Sequence, residues 1–119
     1  MRYGRMLGSA VMGLVAAGLL GACAGTGGRG MTAGPGDVKR GEYLFNQPGF
    51  GGGKNGKSCA ACHPGGRGLE QVAARYAGRD AELRSMVNRC IRMALKGEGI
   101  RDDSQAMADI LAYLRSLGG

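Results

Sequence analysis

Five consecutive residues constrain this chain more than any other part of it: Cys59-Ala60-Ala61-Cys62-His63. Two thiols three positions apart can reach the two vinyl groups on one edge of a porphyrin, and the histidine that follows can ligate the iron. His63 is the only histidine among the 119 residues, so no second histidine competes for a metal. The pattern predicts one covalently attached c-type haem, with Cys59 and Cys62 as anchors and His63 as proximal ligand.

Two other chemistries use a C-x-x-C pair, and the sequence favours neither. A thioredoxin-like redox pair belongs to a strand-helix-strand unit, and no such pattern surrounds Cys59 and Cys62. A structural zinc site needs a second pair of ligands, and Cys90 is the only cysteine further along the chain. The haem interpretation is therefore preferred, with these two as its alternatives.

The N-terminus has the layout of an export signal. A short basic stretch containing Arg2 and Arg5 precedes an uncharged stretch over residues 6–22. This layout predicts a cleaved secretory signal peptide, residues 1–22, and an exported protein. Export agrees with the haem motif, because c-type haem is attached to proteins outside the cytoplasm.

The residues around Cys23 resemble the lipobox of bacterial lipoproteins. They read Leu20-Gly21-Ala22-Cys23, and in proteins with this signal the cysteine is lipidated and becomes the first residue of the mature chain. The resemblance implies a membrane anchor of several acyl chains at Cys23, as stable anchoring requires. Ala24 in the next position is compatible with sorting to an outer membrane. We expect a periplasmic or outer-membrane-anchored lipoprotein, with an ordinary secretory cleavage site as the alternative.

Composition divides the mature chain into two parts. Six of the thirteen residues 24–36 are glycine, so residues 23–36 are predicted to form a flexible tether. Residues 37–119 are enough for one small domain. Apolar periodicity and capping residues indicate helices and no strand, which predicts an all-α fold of three to four helices around one haem. The predicted segments are Asp37 to residue 46, residues 69–76, Asp80 to Gly97, and Asp103 or Ser104 to residue 117.

The domain resembles a class I cytochrome c over residues 37–118. The resemblance is carried by the CAACH motif together with Gly41, Phe45, Ile110, Tyr113 and Leu114. In that family the first and last helices cross at a small residue, and an aromatic side chain from each packs beside the crossing. The resemblance implies that Gly41 lies at the crossing with Phe45 and Tyr113 beside it, and that haem fills much of the thin core.

The ligand opposite His63 does not follow the usual pattern of that family. Class I cytochromes use a methionine before the last helix, usually followed by proline. Past the tether this chain has Met86, Met93 and Met107, and none of them precedes a proline. Met86 and Met107 fit apolar helix faces and are predicted to be core residues. Met93 is nearest the expected position and is one candidate ligand.

Cys90 is the leading candidate for the distal ligand. Residues 87–92 and 104–107 resemble the cysteine-bearing segment of the A subunit of the thiosulfate-oxidising (Sox) cytochrome complex, in which histidine and cysteine ligate the haems. A metal deprotonates a coordinating thiol, and a thiolate ligand lowers the reduction potential relative to a thioether. A buried structural cysteine is the alternative role for Cys90, and Met93 or an open site would then face His63.

This chain departs from both families in identifiable ways. It has one haem motif and is shorter than the two-domain Sox subunit. In class I proteins a proline carbonyl about a dozen residues after the histidine commonly orients the ring, and no proline follows Pro64. The hydrogen-bond partner of His63 is therefore not predicted.

Charge and motif together indicate an electron carrier. The formal charge is +7, and without Arg2 and Arg5 fourteen basic and nine acidic residues leave +5. A basic carrier can be steered to acidic docking faces on redox partners, although solvated helix faces explain most of the arginines equally well. The chain shows no nucleic-acid recognition motif. We expect a non-enzymatic single-electron carrier, with a thiosulfate-oxidising haem subunit and a haem-based gas or redox sensor as alternatives.

Overall fold

The computed structural model describes residues 33–118, and these residues form α-helices and turns with no strand. The all-α prediction is confirmed. The helices are α1 (Val38–Phe45), α2 (Cys59–Cys62), α3 (Val72–Arg75), α4 (Asp80–Ala94) and α5 (Gln105–Ser116), with 3₁₀ turns at Phe50–Gly52 and Pro64–Gly66. Within these residues no helix has both the length and the apolar character needed to span a membrane. The predicted signal peptide, Cys23 and the tether up to residue 32 lie outside the described residues.

Two of the predicted helix starts are confirmed by their capping hydrogen bonds. The Asp37 carboxylate accepts a bond of 2.7 Å from the backbone N–H of Arg40, three residues into α1. The Ser104 hydroxyl accepts one of 3.1 Å from the N–H of Met107 in α5. Each bond satisfies one of the four backbone donors that the first turn of a helix leaves unpaired.

The start of α4 differs from the prediction. Asp80 is the first residue of the helix, and Arg79 precedes it without a capping side chain. The Asp80 carboxylate instead forms an ion pair with Arg115 of α5. An acidic side chain in the first turn still favours the helix through the macrodipole. The helix ends at Ala94, three residues before the predicted end at Gly97.

The first and last helices cross at Gly41, as predicted. A Cβ atom on Gly41 would overlap the backbone carbonyl of Asp109 and lie 2.7 Å from the Cβ of Tyr113. Phe45 packs on Tyr113 beside the crossing, with ring centroids 5.1 Å apart and planes tilted by 58°. Only glycine allows the two backbones to approach so closely.

A buried carboxylate ties the start of the domain to α5. Asp109 is fully buried, and its Oδ1 accepts bonds of 2.8 Å from the N–H of Asp37 and from Nε2 of Gln105. Its Oδ2 lies 3.1 Å from Nε of Arg40 and forms an ion pair with it, but the angle does not allow a hydrogen bond. Gln105 also accepts a bond of 2.8 Å from the N–H of Gly34. The contacts with α5 therefore begin three residues before the domain boundary predicted at Asp37.

Candidate functional site

A cavity bounded by α2, α4 and α5 brings the main predicted site residues together. Its internal volume is about 90 Å³, and Cys59, Cys62, His63 and Cys90 all line it. Its other lining side chains are apolar apart from Ser58. They are Phe45, Leu69, Met86, Val87, Ala94, Leu95, Ile110 and Leu114.

The CAACH motif occupies one edge of this cavity because it folds into a single helical turn. The helix α2 runs from Cys59 to Cys62, and the N–H of His63 closes it by donating to the Cys59 carbonyl at 2.9 Å. Cys59 is half-buried and Cys62 is exposed, and both are free thiols. One turn therefore presents two thiols and an imidazole to the same space.

His63 has a backbone partner that the sequence did not reveal. Its Nδ1 lies 2.9 Å from the carbonyl oxygen of Arg67. A carbonyl can only accept, so in the neutral ring Nδ1 carries the proton and Nε2 keeps its lone pair. A hydrogen bond of this kind fixes the tautomer and the ring orientation of a metal-binding histidine. The Nε2 lone pair of His63 thus remains available for a metal.

The loop after His63 is built to bring that carbonyl back to the ring. Gly66 has a left-handed φ of 79°, and its N–H donates to the His63 carbonyl at 2.9 Å. The Glu70 carboxylate accepts a bond of 2.9 Å from the N–H of Gly68, where an added Cβ would lie 3.6 Å from Nδ1 of His63. Bonds from the backbone N–H groups of Glu70 and Gly68 lower the pKa of the Glu70 carboxyl. These bonds close the loop that carries the Arg67 carbonyl to the His63 ring.

The pKa values of two thiols in the cavity, Cys59 and Cys90, are raised. Burial, followed by the proximity of Cys90, raises the pKa of Cys59 from 9.0 to about 11. Burial also raises the pKa of the Cys90 thiol, against the opposing charge of Arg89. At neutral pH both groups stay protonated until an electrophile or a metal displaces the proton.

The wall that carries Cys90 is one stripe of α4. Met86, Cys90 and Ala94 follow one another at four-residue spacing and all line the cavity. Met93 lies off this stripe, does not line the cavity and is 61% exposed. Of the two predicted distal candidates, Cys90 shares the cavity with His63 and Met93 does not.

The two methionines predicted as core residues have different positions. Met107 is fully buried in the core, as predicted. Met86 is only partly buried and lines the cavity, with its Sδ 3.7 Å from the Sγ of Cys90. Sequence periodicity gave Met86 and Met107 the same role, so Met86 is a site residue that the sequence reasoning missed.

The connection between α4 and α5 contributes its first residue, Leu95, to the cavity lining, and its later residues are bonded to α4. The side-chain amide of Asn88 donates to the Ile100 carbonyl and accepts from the Ile100 N–H, both at 2.8 Å. The same amide donates to Asp102 at 3.1 Å. These bonds fix residues 95–104, which contain no methionine, against α4. The helix α4 itself therefore forms the cavity wall.

The alternative chemistries find no support among residues 33–118. These residues contain no group of three or more His, Cys, Asp or Glu side chains arranged to hold a metal ion. A strand-helix-strand unit of the thioredoxin kind is also not formed by them. A haem requires neither arrangement, because the porphyrin supplies four of the ligands to its iron.

Comparison of the chain with protein-family models, with curated protein sequences and with solved structures gives no match.

Proposed function

We propose that this chain is an exported, lipid-anchored monohaem c-type cytochrome, with a class I-like domain, that passes single electrons. One observation supports this most directly: Cys59, Cys62 and His63 line a largely apolar cavity, and a backbone carbonyl leaves Nε2 of His63 available as a ligand. The helix crossing at Gly41 agrees with the class I resemblance.

The residues of the cavity fit a haem in chemistry, because the lining is almost entirely apolar and carries two thiols and one imidazole on the same edge. Cys59 and Cys62 would hold the porphyrin edge as thioethers, and Nε2 of His63 would bind the iron. The apolar side chains of α4 and α5 keep water from the cavity interior, and Cys90 offers a sulfur ligand from α4. When bound, the haem iron supplies the one-electron couple.

The haem proposal is tested by producing the chain with a cytochrome c maturation system. We expect one haem per chain that survives denaturation, measured by mass and by the pyridine haemochrome spectrum. The Cys59→Ala/Cys62→Ala variant should lose all covalent haem, whereas Cys90→Ala should keep it. A wild-type protein without covalent haem would refute the proposal.

The membrane anchor is tested separately at Cys23. Wild-type protein produced in a bacterium that processes lipoproteins should sediment with membranes and gain the mass of the lipid. A variant in which an ordinary cleavable secretory signal replaces residues 1–23 should be soluble after cell lysis and keep its haem. Equal fractionation of the two proteins would remove the anchor from the proposal and leave the haem function standing.

A second candidate function is a haem subunit that oxidises thiosulfate or a related sulfur anion. The observation that favours it is the exposed Cys90 thiol on the cavity wall, with the cationic Arg89 beside it. It predicts a cysteine persulfide on Cys90, detectable by mass, and reduction of the ferric haem by thiosulfate. Neither result is expected of a simple electron carrier.

A further inference from the structure

Two sulfur atoms lie next to each other on the wall of the cavity. Cys90 Sγ donates to Met86 Sδ across 3.7 Å, and the two residues are one helical turn apart on α4. Both side chains line the cavity that His63 also lines. A soft donor other than Cys90 is therefore present at the site.

Met86 is less enclosed than the core residues of its own helix. The α4 residues that enter the core are Leu83, Val87 and Ile91, which repeat at four-residue spacing and are almost fully buried. Met86 lies beside this row, packs against the core from its edge and is only partly buried. Its side chain therefore borders both the core and the cavity.

Thiolate and thioether sulfur are both established axial ligands of haem iron. Methionine has three rotatable side-chain bonds and adapts to irregular space, so its sulfur can move by the short distance that separates it from the Cys90 position. The backbone of α4 stays in place meanwhile, because Asn88 ties this helix to the following loop through three hydrogen bonds.

We propose that Met86 is a second sulfur ligand of this site, which binds the iron whenever the thiol of Cys90 is absent or chemically blocked. The inference rests on the proposed haem function and deepens it. Its consequence is a site that stays closed to external ligands after oxidation or modification of Cys90. Two sulfur residues, and not one, then have to be lost before the site opens.

The test uses the haem-loaded protein and four variants: Cys90→Ala, Met86→Leu, Cys90→Ala/Met86→Leu and Cys90→Ala/Met93→Leu. Leucine nearly conserves the volume of methionine, so the fold is retained. Cys90→Ala should stay low-spin and gain the far-red absorption band of thioether ligation. Cys90→Ala/Met86→Leu should lose the low-spin spectrum and take up carbon monoxide in the ferrous state. Cys90→Ala/Met93→Leu is the matched control, because Met93 lies outside the cavity, and it should behave as Cys90→Ala does.

The proposal is overturned if Cys90→Ala alone is already high-spin, or if adding Met86→Leu changes nothing. Those results leave the covalent haem, and the proposed function, in place. Absence of covalent haem from the wild-type protein overturns both.

Discussion

The two sides of α5 are packed in opposite ways. Toward α1, backbone meets backbone: Gly41 leaves no room for a Cβ atom against Asp109 and Tyr113. Toward α4, Ile110 and Leu114 border the cavity that also carries the thiols and the imidazole. The close crossing fixes how α1 and α5 are arranged. The side of α5 that borders the cavity faces thiols, an imidazole and a thioether. Stability and chemistry are thus divided between two faces of one helix.

Replacing Gly41 should disrupt the close packing of α1 against α5. The new side chain of Gly41→Val would overlap the Asp109 carbonyl, a backbone group that cannot rotate away. We expect a loss of about 3 kcal/mol in the free energy of unfolding, measured by urea denaturation and circular dichroism. Gly34→Ala is the control, because the nearest atom to its added Cβ lies 3.4 Å away. Equal stability of the two variants would show that the crossing is not close-packed.

Loss of the buried carboxylate should weaken the same side by a smaller amount. Asp109→Ala leaves the N–H of Asp37 and the amide of Gln105 without their acceptor. The expected cost is about 2 kcal/mol in the same urea experiment. Asp103→Ala removes an exposed carboxylate paired with Arg101, and its unfolding curve should match that of the wild type. A larger loss of stability in Asp103→Ala than in Asp109→Ala would contradict the conclusion that the buried carboxylate contributes more to stability than the exposed one.

Two valines of nearly equal exposure compare a packed position outside the cavity with a position on the cavity wall. Val72 is 7% exposed and does not line the cavity, whereas Val87 is 6% exposed and does. We expect Val87→Ala to cost about 1 kcal/mol more in haem-loaded protein than in the haem-free chain, because haem would supply the packing partner of that side chain. Val72→Ala should cost the same in both forms. Parallel behaviour of the two variants would mean that haem does not pack against this wall.

The smallest effect concerns pH and the free thiol of Cys59. Its pKa is raised from 9.0 to about 11, mainly by burial. The folded chain therefore keeps the proton while the unfolded chain releases it, so the stability this thiol contributes below pH 9 is lost as pH rises toward 11. Haem-free wild type should lose more stability over this interval than Cys59→Ser, as followed by thermal unfolding. Covalent haem attachment consumes the thiol and should abolish the difference.

Local and short-range features were predictable from the sequence. The caps at Asp37 and Ser104 depend on residues three positions apart, so their physical cause lies within one helix. The crossing at Gly41 and the position of Cys90 on the cavity wall join distant parts of the chain, and they were expected from a resemblance and not from local spacing.

What the sequence could not supply depends on tertiary position. Met86 and Met107 both fit the apolar face of a helix, and only the packing of α4 against its neighbours distinguishes a cavity wall from a core. Asp80 has the residue type of a cap, but its contact with Arg115, distant in sequence, accompanies a start one residue earlier than predicted. Periodicity carries no information about such contacts.

The hydrogen bond from His63 to residue 67 has an evolutionary consequence. Since the acceptor is a main-chain oxygen, any residue that preserves the glycine-shaped loop can occupy position 67 without changing the ring orientation. Substitutions of Arg67 should therefore accumulate among descendants of this chain with little selective penalty, whereas substitutions of Gly66 or Gly68 should be purged. The clearest sign of this main-chain hydrogen bond among related sequences would be a freely varying residue 67 between an invariant Gly66 and an invariant Gly68.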